Sequence, residues 1–222
     1  MVDAGHLVEE TRQELQAVET RIRRHPYLDA VEAGSLSRNE LRRFAGQQHH
    51  IIGSDLRAMA LLIAKAETAK AREFFWGGIQ GEWSALEALH AFASALAMPA
   101  EELEASEPIP GTFAYSAYVA WLALFGSCAE FAAAFLVNLE AWGGNCARMS
   151  QALRTQYQLK NGDVAFFDLF SSPPPGFQER ALQVIQEGLD RGVKPQHIRR
   201  AARMLQGYEL LYWDTLHQAV TG

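Results

Sequence analysis

Apolar side chains recur at helical spacing along almost the whole chain, and the strict alternation expected of strands is nearly absent. In residues 5–24, Leu15, Val18 and Ile22 fall on one face, so the pattern predicts a first helix. It ends at His25-Pro26, because the proline ring disfavours a helical residue before it. A short helix over 27–33 ends at Gly34. Ser37-x-x-Glu40 reads as a capping box that opens a long helix to about Lys70. A further helix runs from Ala71 to Met98, with Gly77-Gly78 as a kink point. Beyond the prolines at 99, 108 and 110, Thr112 caps a helix to Phe125. Gly126-Ser127 restarts the pattern, which continues to Trp142, and Gly143-Gly144 breaks or bends it before 145–158. Residues 159–175, with Asn161-Gly162 and three consecutive prolines, read as loop with one turn of helix. Two last helices cover 176–191 and 195–219. The outcome is an all-α, single-domain bundle of seven to nine helices over residues 1–222, with no repeat and no dividing linker.

Composition narrows the partners. The 222 residues are 49% hydrophobic, enough for a large core, and carry 26 acidic against 20 basic side chains. A net charge of −6 and basic runs no longer than pairs such as Arg23-Arg24 leave no patch for nucleic acid or an anionic membrane. No apolar run is long enough to span a bilayer, and the N-terminal segment, charged from its third residue, has no signal-peptide core. Two cysteines, Cys128 and Cys146, make no disulfide framework, which fits a reducing cytoplasm.

Candidate chemistry lies in segments that occur in a fixed order. They are His25-Pro26-Tyr27, Phe44-x-x-Gln47-Gln48, Glu87-x-x-His90 and Tyr115, then Gly126-x-x-x-Glu130, and finally Tyr208-Glu209-Leu210-Leu211-Tyr212-Trp213-Asp214. Over residues 20–217 this order resembles the TenA (thiaminase II)/PqqC family of aminopyrimidine aminohydrolases. The resemblance implies a haem-oxygenase-like helical fold, a homo-oligomer, a small-molecule substrate and no required cofactor. It also implies an aspartate after the glutamine of the second motif, a cysteine on the fifth helix and a glutamate in the last helix. A gapless alignment from Tyr115 through Gly126 and Glu130 puts Asn138 at the cysteine position; by the resemblance, Gln48 falls at the aspartate position, Glu209 on the glutamate and Tyr115 on a substrate-lining tyrosine. Two of three chemical groups are thus amides, which donate and accept hydrogen bonds but neither titrate nor attack. Glu209 remains as the acid or base.

Other residues leave alternatives open. Asn138 and Glu140 both interrupt an apolar run, yet residues two apart point about 200° apart on a helix, so one of them lines the pocket and the other meets a neighbour. Trp142 and Tyr212 are the aromatics placed to stack on a flat ring. Glu87-x-x-His90 and Asp214-x-x-His217 put a carboxylate and a histidine on one face. With Glu82, Glu140 or Glu209 they form the donor set of a rival reading, a di-iron oxidase. The adjacent His49 and His50 lie about 100° apart, so one faces the pocket near Gln48 and the other solvent. Cys146 reads as a small buried residue. The expected function is hydrolysis at an amino- or acylamino-pyrimidine or a related nitrogen heterocycle. Its alternatives are the iron-dependent oxidase and a non-catalytic binding protein.

Overall fold

A computed structural model describes residues 2–221. Among them there are ten helices and no strand: α1 (Ala4–Arg23), α2 (Pro26–Glu32), α3 (Arg38–Lys65), α4 (Ala69–Ala95), α5 (Ala100–Glu104), α6 (Pro110–Phe125), α7 (Cys128–Gln156), α8 (Ala165–Ser171), α9 (Phe177–Asp190) and α10 (Pro195–Thr221). The count exceeds the predicted seven to nine because the acidic connection before Pro110 and the segment before the three prolines each fold into a short helix. No helix among the described residues is long and apolar enough to cross a membrane.

The helix starts follow from local chemistry. His25 caps α2, its Nδ1 accepting from the Tyr27 amide, with Pro26 at the first helical position where no amide hydrogen is needed. Ser37 and Glu40 close the predicted capping box on α3. A second box opens α7: the Ser127 hydroxyl accepts from the Glu130 amide at 3.2 Å, and the Glu130 carboxylate accepts from the Ser127 amide at 2.8 Å. Glu130 of the Gly126-x-x-x-Glu130 motif is therefore a helix-start residue. Thr112 is not the cap of α6, which begins two residues earlier at Pro110. Its hydroxyl instead donates to Gln47 at 2.6 Å.

Neither glycine pair breaks its helix. Gly77-Gly78 lies inside α4 and Gly143-Gly144 inside α7. A Cβ on Gly143 would come within 2.6 Å of the Phe170 carbonyl oxygen, so the bare α-carbon is what lets α8 lie against α7.

Helices α7 and α10 cross the centre, with α3, α4 and α6 on one side and α1, α2, α8 and α9 completing the wall. The apolar interior forms two clusters. One gathers α1, α6, α9 and the first half of α7 around Phe75, Phe131 and Leu205. The other gathers α2, α8 and the second halves of α4, α7 and α10 around Phe44, Phe92, Phe167 and Trp213. Each fully buried large apolar side chain contributes roughly 1.5–3 kcal/mol. Val18 and Ile51 pack on both clusters, and at this seam the interior turns polar.

Candidate functional site

Six helices line the seam, three of them with several side chains at helical spacing. From α3 come Gln48, Ile51, Ile52 and Asp55, spaced i, i+3, i+4 and i+7, which is one stripe. Helix α7 presents the same spacing with Phe135, Asn138, Leu139 and Trp142; α10 adds Glu209 and Tyr212. Glu82 of α4, Tyr115 of α6 and Phe170 of α8 complete a cavity of about 70 Å³. That is several times the roughly 10–15 Å³ needed by one water, and suits a small fragment rather than a macrocycle.

Glu209 is 2% exposed. One carboxylate oxygen accepts from the Trp213 indole at 3.1 Å, and the other accepts from the Asn138 amide. These donors favour the charged form, but burial outweighs them and pushes the carboxyl up to about 8. The Asn138 amide also donates to the Gln206 carbonyl at 3.0 Å, and its own carbonyl accepts from the Tyr115 hydroxyl at 3.1 Å. The Gln48 amide donates to the Tyr212 hydroxyl at 2.6 Å. Trp142 stands edge-on to Tyr212 and Phe170, with ring centroids 6.3 and 5.9 Å apart. Gln48, Tyr115, Asn138, Trp142, Glu209 and Tyr212 therefore border one space.

Glu140 does not. The 200° step from Asn138 turns it outward, where its half-exposed carboxylate pairs with Arg12 at 3.4 Å and Arg23 at 3.3 Å. The expectation of a pocket role for Glu140 is corrected: α7 stays regular through Gly143-Gly144, so the two side chains cannot share a cavity.

Both histidines after Gln48 also miss the cavity. His50 bonds the Ser106 carbonyl, and His49 packs against His90 with ring centroids 6.2 Å apart. Gln47, beside Gln48, is a clamp: it donates to the Glu107 carbonyl and accepts from the Ile109 amide and Thr112, holding the chain that leads into α6.

The carboxylate–histidine pairs are likewise scattered. Glu87 accepts from Trp83 on an exposed face of α4, whereas Asp214 bonds His25 at 3.0 Å and His217 stacks edge-on against His25. Neither pair borders the cavity. Among the described residues no three His, Cys, Asp or Glu side chains are grouped to hold a metal ion. Cys146 is fully buried behind the wall, and burial together with the nearby Glu209 charge raises its thiol well above the usual range.

Asp55 belongs to none of the sequence motifs, and Glu82 stands among them only as an oxygen donor of the oxidase alternative. Asp55 is 3% exposed, Glu82 9%, and both are raised by burial, Glu82 to about 7; the Glu82 charge raises Asp55 further. The signal for Asp55 was its position seven residues after Gln48, a lone carboxylate on the face that carries Ile51 and Ile52.

The likeness to known proteins agrees with this architecture. An aminopyrimidine aminohydrolase from Halalkalibacterium halodurans is 31% identical over 113 residues, half of this chain and half of that protein. The solved TenA homologue from P. horikoshii superposes with a TM-score of 0.78 at 17% identity, covering 96% of this chain and 98% of that one. A haem oxygenase from the cyanobacterium Synechocystis, solved with haem, superposes at 0.68 and 12% identity over 96% of this chain and 93% of its own. The fold is thus haem-oxygenase-like. The sequence profile of the TENA/THI-4/PQQC family matches residues 12–219, and the chain belongs to that family.

Proposed function

We propose that the protein is a C–N hydrolase acting on an amino- or acylamino-pyrimidine or a related small nitrogen heterocycle, the kind of reaction that salvages thiamin fragments. The observation that carries this reading is Glu209, a buried carboxyl at the wall of a largely apolar cavity, raised by burial to about 8. An acid–base group works best when its pKa lies near the operating pH. Family membership and the relative named an aminopyrimidine aminohydrolase support the reaction class.

In this reading water is the nucleophile, because Asn138 offers no electron pair comparable to a thiolate. Protonated Glu209 gives its proton to the departing nitrogen as the C–N bond breaks. The resulting carboxylate takes a proton from the attacking water as the C–O bond forms, which restores the acid. The indole of Trp213 and the amide of Asn138 hold that carboxylate in place, so little reorganisation accompanies the proton movements. Gln48, Tyr115 and Asn138 present donors and acceptors to the edge of the ring, while Trp142 and Tyr212 flank it. The reaction needs no cofactor and runs in the cytoplasm. The exposed aromatic face of α6, with Trp121 and Phe125, joins copies of the chain into a homo-oligomer.

The test is turnover. Purified protein is incubated with 4-amino-5-aminomethyl-2-methylpyrimidine, with its N-formyl derivative and with thiamin, and release of ammonia, formate or thiazole is followed. Hydrolysis of either aminopyrimidine supports the reading. A folded protein that turns over none of the three refutes it.

A further inference from the structure

The cavity is strongly one-sided in charge. Three carboxylates, Asp55, Glu82 and Glu209, border it, and no lysine, arginine or histidine is among the described residues that line it. Arg12 and Arg23 are engaged outside with Glu19 and Glu140. Glu209 has donors on both oxygens, but one oxygen of Asp55, Oδ1, is buried without a hydrogen-bond partner. A buried, unpaired carboxylate oxygen costs free energy, so a site that keeps one has its partner arriving from elsewhere. The proposed acid–base chemistry uses Glu209 alone and leaves this second pair unexplained.

We infer that Asp55 and Glu82 form a subsite for a cationic nitrogen group of the ligand, an ammonium or a protonated amino-heterocycle that donates N–H bonds to Asp55 Oδ1 and the Glu82 carboxylate. The inference rests on the reading of the cavity as a substrate site and narrows its occupant to a positively charged heterocycle. Bonds between a charged donor and a carboxylate are about twice as strong as neutral ones, and the low dielectric around buried groups strengthens them further. Tyr115 connects the subsite to the acid. Its hydroxyl is raised by burial and then by the charges of Asp55, Glu209 and Glu82, and it borders the cavity that all three share. A planar ligand held at Asp55 and Glu82 by one end thus presents its other substituents along Tyr115 toward Glu209.

The subsite also sets a proton balance. Without ligand, burial raises both carboxyls, Glu82 to about 7, and the Glu82 charge raises Asp55 further, which favours their protonated forms. A bound cation takes over that neutralising role, so binding displaces a proton to solvent. The titratable groups bordering the cavity are these three carboxylates and the phenols of Tyr115 and Tyr212.

The test compares two rings of equal size and shape, 4-aminopyridine, which is protonated at neutral pH, and aniline, which is neutral. Calorimetry on the whole chain measures both, in buffers of different ionisation heat. The expected result is at least tenfold tighter binding of the aminopyridinium, with proton release. Asp55→Asn and Glu82→Gln should each reduce that preference at least fivefold and leave aniline unchanged within twofold. Equal affinity for the two rings, no binding of the cation, or an unchanged preference in both variants overturns the subsite. Should Asp55→Asn fail to fold, Glu82→Gln and the comparison in the unaltered protein decide. Cation binding that depends on the pair, in a protein that hydrolyses no aminopyrimidine, refutes the hydrolase and keeps the subsite. Hydrolysis without preference for the cation does the reverse.

Discussion

The side-chain amide of Asn138 on α7 donates directly to the carboxylate of Glu209 on α10, joining residues 71 apart in the chain at the wall of the cavity. In the resemblance, the position held by Asn138 belongs to a cysteine. The bond therefore ties the amide at that position to the buried carboxyl of Glu209. It stabilises the anion of Glu209 while burial disfavours it, and the balance leaves the group able to change state near neutral pH.

Replacing Glu209 by Gln should preserve the fold and lower turnover of an aminopyrimidine at least tenfold, a barrier increase of about 1.4 kcal/mol. Gln has the same shape and can still accept from Trp213, so circular dichroism should be unchanged. Steady-state kinetics decide: full activity in the variant removes Glu209 from the chemistry.

Stability should fall as pH rises from weakly acid to weakly alkaline. Below the model-compound value of 4.5, Glu209 is protonated in both folded and unfolded chains and costs nothing. Between 4.5 and about 8 the folded chain keeps the proton and the unfolded chain releases it. The stability present at low pH is thus lost through that window, at up to roughly 1.4 kcal/mol per pH unit for one such group. Glu82 acts in the same direction, up to about 7, and Asp55 adds to it. Urea unfolding at pH 5, 6.5 and 8 measures the slope, and Glu209→Gln should flatten its upper part. His25 and His49, which burial lowers, add stability as pH rises toward 6.5, so the variant decides: a slope that Glu209→Gln leaves unchanged contradicts the assignment.

Gly143→Ala should destabilise the protein by about 1–3 kcal/mol, because the added methyl meets the Phe170 backbone rather than a side chain that can swing away. The same change pushes α8 and the Phe170 ring from the cavity, so binding of a flat ligand should weaken beyond what the loss of stability explains. Gly77→Ala is the control, since a Cβ there has nothing within 4 Å. It should be neutral or slightly stabilising in a thermal melt.

How far the chain could be read in advance divides along physical lines. Helix type and order were legible because the 3.6-residue period and caps such as Ser37 and Ser127 are local. The shared face of Gln48, Asn138 and Glu209 followed from the family order of motifs, since spacing within one helix says nothing about which helices meet. The break expected at Gly143-Gly144 came from propensity alone. In the fold those glycines are packing contacts, Gly143 against the Phe170 carbonyl and Gly144 near Arg23. Asp55 escaped, and Glu82 was legible only as a donor of the oxidase alternative, because a single acidic residue on a helix usually faces water. Their pairing across α3 and α4 is a tertiary fact, and so is the outward turn of Glu140 to Arg12 and Arg23.

The last expectation concerns the lost thiol. Thiamin should be cleaved far more slowly than an amino- or formylamino-pyrimidine. Its thiazole is normally displaced by a thiolate attacking the adjacent methylene, and the Asn138 carboxamide cannot replace that attack. The native cysteines offer no substitute, because Cys146 is buried with a raised thiol and Cys128 lies outside the cavity lining. Asn138→Cys places sulfur beside the Glu209 carboxylate, which can accept the thiol proton, so thiamin cleavage should rise at least tenfold. The same change strips Tyr115 and Gln206 of hydrogen-bond partners and should cost about 1–3 kcal/mol of stability. Thiamin loss is followed in the native protein, in Asn138→Cys, and in a Cys128→Ser, Cys146→Ala variant. Rapid thiamin cleavage by the last of these means that another residue supplies the nucleophile, and the role given to position 138 is then wrong while the fold stands.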